Sequence, residues 1–210
     1  MRVMKTVLVY SGGMDSTTLL YDLVHKGDDV RAVSFDYGQR HIKELKCAAK
    51  ICKKINVPHV IINLRSVNKL MGGSSLTSKK IAVPEGHYED KSMRSTVVPN
   101  RNMVFISLAI AYAVSLKFDR IALAVHAGDH AIYPDCRPEF IKKVDEVSKV
   151  ANYESIDVYA PYINKSKGDI AKIGQRLGVP FDKTWTCYKG LSKPCGKCGS
   201  CVERAEALAS

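Results

Sequence analysis

The stretch "VLVYSGGMDSTT", residues 7–18, decides the fold. An apolar run ends in two glycines flanked by hydroxyl side chains, the pattern of a buried strand that enters an anion-binding loop at the start of a helix. No Lys-Ser or Lys-Thr pair follows the glycines, so the loop lacks the lysine with which a Walker loop neutralises the β and γ phosphates. The glycines let the backbone approach an anion closely, while Ser11, Ser16 and Thr17 supply hydroxyl donors. These residues suit a pyrophosphate group.

Strand-like and helix-like segments alternate along the rest of the chain, which predicts parallel βαβ units. The predicted strands cover residues 5–10, 30–35, 59–64, 120–125 and 155–162, the last as an edge strand because Pro161 cannot donate to a ladder. The predicted helices cover residues 15–26, 40–55, 103–116, 137–150 and 165–179. We expect an α/β fold with a doubly wound, mostly parallel, five-stranded sheet.

Two segments stand out from this alternation. Residues 65–99 are rich in Gly, Ser and Lys without periodicity, which is long for a connection and predicts a lid or substrate loop. Asn100 follows as a predicted N-cap, and the helix after it is apolar on nearly all sides, so we expect it to be buried. Gly178 is the predicted end of the helix over 165–179.

Composition narrows the functional class. The 210 residues contain no apolar run long enough to span a bilayer, and the start resembles no export signal, so we expect a cytoplasmic protein without membrane contact. The net charge of +11 favours an anionic partner. A solvated basic surface that attracts ATP accounts for the charge better than nucleic-acid binding, because the basic residues are scattered.

Four of the seven cysteines lie close together, at Cys187, Cys195, Cys198 and Cys201. The spacing C-x7-C-x2-C-x2-C, with Gly196 and Gly199 between the ligands, predicts one tetrahedral structural zinc ion; a redox dithiol pair is the alternative. Four cysteines leave no open position for a catalytic water, so the metal should fold the C-terminal segment against the site. We divide the chain into a main domain, residues 1–180, and a zinc-binding segment, residues 181–210.

The loop "SGGMDS" matches the SGGxDS signature of the PP-loop ATP pyrophosphatases, and the chain resembles that superfamily. Four further blocks occur in the same order as in one of its families: "DYGQRH" (36–41), "VVPNRN" (97–102), "HAGDHAIYPDCRPEF" (126–140) and "TWTCYKG…PCGKCGSC" (184–201). Over essentially its whole length the chain resembles the 7-cyano-7-deazaguanine synthases, the QueC family.

The resemblance implies an adenine nucleotide alpha-hydrolase-like fold and an ATP-dependent ligase of queuosine biosynthesis. Such an enzyme converts 7-carboxy-7-deazaguanine and ammonia to 7-cyano-7-deazaguanine (preQ0) by adenylating the carboxylate, forming the amide and dehydrating it to the nitrile. It also implies ATP with Mg²⁺, a structural Zn²⁺ and a homodimer. The residues expected to hold ATP are Tyr10, Ser11, Gly12, Gly13, Met14, Asp15, Ser16, Thr17 and Thr18, among which Ser11, Asp15 and Ser16 are the catalytic candidates. Asp15 either orients magnesium or caps the helix.

Candidate substrate residues lie in the same blocks. They are Tyr37, Arg101, Asn102, His126, Asp129, Asp135 and Arg137. Carboxylates suit the N–H groups of a guanine-like edge, an arginine suits the substrate's carboxylate, and an aromatic ring stacks on a purine. Turn formation and helix capping are the alternative roles for these residues. On the same structural interpretation, the next helix simply begins at Gln39, Arg40 and His41. Cys136 is either a nucleophile or a core residue.

Two other functions stay open on the sequence. One is a PP-loop enzyme that adenylates a base in tRNA, which the basic charge and the cysteines also suit. The other is a zinc-bearing nucleic-acid-binding module without catalysis, for which the intact loop from Ser11 to Ser16 would be needless. A synthase that stops at the amide is a variant of the first reading. We do not expect direct nucleic-acid binding, because no RNA-binding domain fits beside the catalytic core.

Overall fold

The computed structural model describes residues 2–88 and 90–209, and within them the chain forms one parallel sheet of five strands. The strands are β1 (Lys5–Val9), β2 (Asp29–Asp36), β3 (His59–Asn63), β4 (Arg120–Ala122) and β5 (Asp157–Tyr159), in the order β3-β2-β1-β4-β5. The order reverses between β1 and β4, so the crevice at the carboxyl ends of these two strands is where ligands bind in such sheets. The predicted five-stranded fold is confirmed.

Six helices are described: α1 (Met14–His25), α2 (Lys43–Lys54), α3 (Arg101–Leu116), α4 (Pro138–Val150), α5 (Lys167–Arg176) and α6 (Gly199–Ala209). The helices cover both faces of the sheet. Successive strand residues point to opposite faces, and the strands are apolar on both, so each face needs a cover. Val7 packs into a core with Ile106 of α3, whereas Leu8 packs on the other face with Leu19 of α1 and Ile170 of α5. The sheet is therefore doubly wound.

Most predicted elements agree with the structure to within a few residues. Gly178 adopts a left-handed φ of 68° directly after α5, as expected of a glycine that ends a helix. The predicted strand over 120–125 is shorter in the ladder and ends at Ala122. Helix α6 was not predicted, because the cysteine spacing dominates the sequence signal there.

One expectation for α3 is wrong and a second holds only in part. Met103 and Leu108 are 37% and 38% exposed, so the helix is not buried on all sides. Asn100 occupies the N-cap position, as expected, but it has a left-handed φ of 57° and its side chain makes no capping hydrogen bond. Asp135 of a distant loop takes that role, since its Oδ2 accepts from the Asn102 N–H at 2.9 Å. A cap supplied across 33 residues leaves no local sequence signal.

The long segment over 65–99 is ordered where it is described. It contains short 3-10 turns at Val67–Leu70 and Lys91–Thr96, and Leu76 and Met93 are fully buried. The N–H of Ser75 donates to the Ser95 carbonyl, which ties the two ends of the segment together. The segment forms one wall of the crevice, and its movement as a lid stays a prediction.

The C-terminal segment packs directly on the main domain. The backbone N–H of Trp185 donates to the Gly12 carbonyl at 3.0 Å. Ala207 of α6 packs with Met14 of α1 and Ala171 of α5. None of the described helices has the length and hydropathy needed to cross a bilayer.

Candidate active site and cysteine cluster

The glycine loop forms a cradle at the end of β1. Gly12 has a φ of 78° and lies so close to α2 that a Cβ there would sit 2.5 Å from the Glu44 carbonyl oxygen. Gly13 is the N-cap of α1 and carries no side chain to occupy the first helical N–H groups. The Ser11 and Ser16 hydroxyls lie 3.0 Å apart across the loop. The backbone N–H groups of Ser11 and Gly13 donate to the Ser16 and Ser11 hydroxyls, at 3.3 and 3.2 Å, which orients these hydroxyls. Two hydroxyls beside a helix N-terminus are a site for phosphate oxygens.

The loop opens into a cleft with a cavity volume of about 220 Å³. Of the predicted ATP residues, Tyr10, Ser11, Gly13, Met14, Asp15 and Ser16 line it. Thr17 and Thr18 do not: their hydroxyls donate back to the carbonyls of Gly13 and Met14, at 2.6 and 3.0 Å. Gly12 does not line the cleft either; its backbone lies against Glu44 and Ala48 of α2.

A buried charge cluster lies beside the loop. The ammonium group of Lys167, on a residue 8% exposed, is 3.2 Å from Asp15 Oδ2 and 2.6 Å from Glu203 Oε2. Burial disfavours the charged forms, yet the carboxylates of Asp15 and Glu203 raise the pKa of Lys167. Burial likewise opposes ionisation of Asp15, and the charges of Lys167 and His126 overcome it and lower the pKa of Asp15. One permanent cation thus faces the cradle.

One oxygen of Asp15 has no partner among the described residues. Its Oδ1 is buried without a hydrogen bond, while Oδ2 faces Lys167 and lies 3.8 Å from His126 Nε2. An orphaned carboxylate oxygen next to a phosphate cradle fits Mg²⁺, which binds one or two carboxylates together with substrate phosphates. No side chain occupies the capping position of α1, so Asp15 is not its N-cap.

The other end of the cleft is aromatic. Phe35 stacks on Phe105 with ring centroids 4.4 Å apart, and Tyr37 packs against Phe105 at 5.4 Å. The Arg101 guanidinium lies 6.0 Å from the centre of the Tyr133 ring. Flat apolar walls with one half-buried cation suit a planar heterocycle that carries a negative charge.

Three tyrosine hydroxyls meet above this end. Tyr188 Oη lies 3.4 Å from Tyr88 Oη and 3.5 Å from Tyr133 Oη. Tyr88 Oη also donates to Asp129 Oδ1 at 3.1 Å. Tyr88 comes from the long segment and Tyr188 from the cysteine segment, so two remote parts of the chain close the cleft together.

The predicted substrate residues divide into two groups. Those that line the cleft are Tyr37, Arg101, Asn102, His126 and Asp129. Asp135 and Arg137 lie outside it: Asp135 caps α3, and Arg137 Nε donates to the His130 carbonyl at 3.0 Å.

His126 and Cys136 are held in defined states. His126 Nδ1 accepts from the Gly128 N–H at 3.1 Å, so the proton of the neutral ring is on Nε2, facing Asp15 and Asp129. Burial, with the nearby charges of Asp129 and Asp135, raises the pKa of the Cys136 thiol well above its usual range. A protonated thiol is a poor nucleophile, which favours the packing role for Cys136.

The four cysteines converge as expected. One ligand sulfur from each of Cys187, Cys195, Cys198 and Cys201 lies within 4.8 Å of all the others. A Zn–S bond of about 2.3 Å places tetrahedral sulfurs about 3.8 Å apart, so a small contraction completes a Cys₄ site. The N–H groups of Lys197 and Cys198 point at Cys195 Sγ, at 3.4 and 3.3 Å, and stabilise negative sulfur. The cluster could bind a metal ion.

Several residues of the cleft and of the charge cluster beside it were missed by sequence reasoning. They are Lys167, Glu203, Glu44, Tyr88, Tyr133 and Tyr188. Lys167 and Glu203 lie inside ordinary amphipathic helices, where a charged residue reads as solvent-facing. The spacing Ser166-x-x-Asp169, a capping box, marks the start of α5 and hence the residue that enters the cleft.

The chain is similar to known proteins over nearly its whole length. The family model described as queuosine biosynthesis protein QueC matches residues 5–210. The 7-cyano-7-deazaguanine synthase of Pseudoalteromonas translucida (strain TAC 125) is 57% identical, over 97% of this chain and 93% of that protein. The synthase of Hahella chejuensis (strain KCTC 2396) is also 57% identical, over 97% and 88%.

A likeness of fold extends further. A 4-thiouridine synthetase solved in complex with RNA and with bound ATP superposes with a TM-score of 0.52 at 15% identity. The match covers 99% of this chain and 54% of that one. At this identity the match bears on the fold alone.

Proposed function

The chain belongs to the QueC family of queuosine biosynthesis proteins, and from this we propose that it is an ATP-dependent ligase that converts 7-carboxy-7-deazaguanine and ammonia to 7-cyano-7-deazaguanine. One observation carries the proposal: a single cleft is lined by the phosphate cradle at Ser11 and Ser16 and by the aromatic end around Arg101 and Tyr37. A nucleotide and a planar acid held there would meet inside one enclosure.

The cradle would hold the phosphates of ATP. The loop amides and the hydroxyls of Ser11 and Ser16 would bind the β and γ phosphates, which leave as pyrophosphate. Lys167 would neutralise charge that develops as the bond to the α phosphate breaks. The free Oδ1 of Asp15 would hold Mg²⁺, which supplies charge neutralisation on the same oxygens.

The aromatic end would hold the deazapurine. Tyr37 and Phe105 offer ring faces, and Arg101 is the half-buried cation that we assign to the substrate's carboxylate. Asn102 donates to the Asp135 carbonyl and the Cys136 sulfur, which fixes the start of α3 beside Arg101. The Asp129 carboxylate and the His126 Nε2 proton lie between the two ends and would orient the reacting groups.

The chemistry proceeds by two activations. A carboxylate oxygen attacks the α phosphate, giving an acyl adenylate and pyrophosphate. Ammonia displaces AMP and loses a proton, giving the amide. A second ATP adenylates the amide oxygen, with release of pyrophosphate and of one nitrogen-bound proton, and loss of the second nitrogen-bound proton and of AMP leaves the nitrile. Because the adenylates hydrolyse, exclusion of water by the closed tyrosine wall is part of catalysis.

We assign Zn²⁺ to the four cysteines. Four thiolates complete a tetrahedral ion and leave no position for a reacting water, so the ion stabilises the fold of residues 181–210 against the catalytic domain, residues 1–180. Reduced cysteines of this kind suit the cytoplasm, where we place the reaction.

Purified protein incubated with ATP, Mg²⁺, ammonium and 7-carboxy-7-deazaguanine tests the proposal by mass spectrometry. We expect a product lighter than the acid by the change from carboxyl to nitrile, together with AMP. A product that stops at the amide would identify an amide synthase. AMP release that requires tRNA would support the alternative enzyme that adenylates a tRNA base, which the net charge of +11 also suits.

We propose a homodimer as the working assembly. Met103 and Leu108 leave an apolar face of α3 exposed, which a second copy would cover. Sedimentation velocity of the protein and of its Leu108→Glu variant tests this: the parent should sediment as a dimer and the variant as a monomer.

A further inference from the structure

The proposed reaction needs a proton acceptor that the assignments above do not supply. Adenylation of the amide oxygen releases the first N–H proton, to water or excess ammonia, and leaves a carbon–nitrogen double bond with one N–H. In the last step this N–H bond breaks, and its electron pair forms the third bond between carbon and nitrogen. The C–O bond breaks at the same time, and its electron pair leaves with AMP. The nitrogen-bound proton must go to a base inside the cleft.

Most carboxylates of the cleft are already committed to other partners. Asp15 faces Lys167 at 3.2 Å, and Glu203, which binds the same lysine at 2.6 Å, does not line the cleft. Asp129 accepts from the Tyr88 hydroxyl at 3.1 Å and from the backbone N–H of His126 at 3.2 Å. An ion-paired or doubly hydrogen-bonded carboxylate is a weak base, because its charge is already stabilised.

The histidines of the cleft are no better placed. His126 Nδ1 already accepts from the Gly128 N–H. Burial, together with the charges of Arg101 and Arg40, lowers the pKa of His41 to about 3, so its ring is a poor base. The His41 Nδ1 is buried without a hydrogen-bond partner among the described residues, and it lines the same part of the cleft as Glu44.

Glu44 is the remaining cleft carboxylate among the described residues. Gln39 Nε2 donates to its Oε1 at 3.0 Å, and His41 Nε2 lies 3.5 Å from the same oxygen. Within the described residues, no hydrogen bond to a protein group engages Oε2. Its position is central: the α2 backbone at Glu44 lies against Gly12 of the phosphate loop, and the neighbouring His41 ring packs on Tyr188 at 5.5 Å.

We propose that the Glu44 carboxylate accepts the nitrogen-bound proton as the nitrile forms, an inference that rests on the proposed function. In the earlier amide-forming step free ammonia can serve as its own base. Loss of Glu44 should therefore slow nitrile formation more than amide formation.

The surroundings of Glu44 match this role. The titratable groups around it are Tyr37 at the end of β2, His41, Cys47 on the same helix and Arg101 on α3. Burial raises the pKa of Glu44 to about 8, although the Gln39 hydrogen bond and the Arg101 charge both act to lower it. A base is most effective when its pKa lies near the working pH. Nitrile formation should accelerate as the pH rises toward about 8 and then level off.

Glu44→Gln tests the inference, because glutamine keeps the shape and can still accept from Gln39. Starting from the amide, we expect the rate of nitrile formation to fall about a hundredfold and its pH dependence to disappear. AMP should still be released, since an adenylated amide that cannot lose its proton hydrolyses, so the ratio of AMP to nitrile rises. The KM for ATP should not change. Lys46→Gln, an exposed change on the same helix, should behave as the parent protein.

Several outcomes would overturn the role of Glu44. An unchanged ratio of AMP to nitrile in Glu44→Gln is one, and an equal loss of AMP release from the acid and from the amide is another. Glu44→Asp should retain the coupling and the pH dependence at a reduced rate; if it is as uncoupled as glutamine, shape and not the proton matters. Absence of nitrile with the parent protein would instead overturn the proposed function itself.

Discussion

Glu203 lies in the same helix as Cys201 of the four-cysteine cluster, and its carboxylate accepts a hydrogen bond from Lys167 at 2.6 Å. Lys167 in turn lies 3.2 Å from Asp15 of the glycine loop. The cysteine segment is thereby connected to the glycine-loop end of the cleft through one lysine. Arg204, the next residue, donates to the Thr184 and Thr186 hydroxyls and fixes the segment that carries Trp185 over the loop.

Lys167→Met should strongly reduce AMP formation. The change removes the cation that faces the cradle and leaves the carboxylates of Asp15 and Glu203 without their shared partner. We expect acid-dependent AMP release to fall by about a hundredfold or more, the effect of losing one charge-stabilising group in a closed site. Steady-state release of AMP from labelled ATP measures it.

The matched control is Lys172→Met, which removes an exposed lysine from the same helix and should leave AMP release intact. Equal activity of the two variants would contradict the role given to Lys167. Circular dichroism of both variants checks that the fold is retained.

Cys198→Ser should remove the metal and destabilise the protein. Cys198 is fully buried in a small core with Trp185 and Val83, so an empty cluster releases packing as well as coordination. A structural zinc site contributes several kcal/mol to folding, so we expect the melting temperature to fall by about 10 °C or the variant to be insoluble. Metal analysis and thermal unfolding measure the two effects.

Cys52→Ala serves as the comparison, because Cys52 is equally buried but lies in another core. It should retain a full complement of metal. If Cys198→Ser bound as much zinc as Cys52→Ala, the Cys₄ assignment would be wrong.

Local sequence signals predicted the parts of the fold that local interactions determine. The loop at Ser11–Ser16, the five strands and the four cysteines are each set by residues close together in the chain. The position of the α3 N-cap, Asn100, was predicted correctly, but its side chain does not cap the helix. Asp135 supplies the capping hydrogen bond from a different loop, which no local sequence signal indicates.

The charges of the site were harder to predict for the same reason. Lys167 and Glu203 are 36 residues apart and acquire their roles only by meeting Asp15 in the folded chain. Glu44 lies in a strongly amphipathic helix, where a glutamate after a lysine suggests a solvated face. A charged side chain is buried only through tertiary contacts, and a single amino-acid sequence does not show those contacts.

Stability of the free protein should depend on Glu44 in a defined pH window. The pKa of Glu44 rises from an ordinary value of 4.5 to about 8 in the fold. Between these values the unfolded chain loses the proton first, so the free energy of unfolding falls as the pH rises through the window. Glutamine does not titrate, so Glu44→Gln should gain stability relative to the parent as the pH increases, by up to a few kcal/mol at about pH 8.

Urea unfolding of both proteins at several pH values measures the difference. His41, whose pKa is lowered by burial, responds to acid in both proteins, so the comparison is made toward the upper end of the window, above the ordinary pKa of histidine. A difference in stability that stays constant with pH would show that Glu44 ionises normally in the free protein.

Gly12→Ala compared with Gly27→Ala separates backbone strain from the shape of the cradle. Both glycines have left-handed φ values, 78° and 81°, so alanine costs about 1 kcal/mol of strain at either position. At Gly27 no atom lies within 4 Å of the added Cβ. At Gly12 the Cβ would sit 2.5 Å from the Glu44 carbonyl oxygen and 2.9 Å from the Ala48 nitrogen, both backbone atoms that cannot rotate away. The loop must therefore move away from α2, which displaces the Ser11 and Ser16 hydroxyls from the phosphates.

We expect Gly27→Ala to lower stability slightly with normal AMP release, and Gly12→Ala to lose ATP binding in calorimetry. Normal ATP affinity in Gly12→Ala would mean that the nucleotide phosphates lie elsewhere in the cleft.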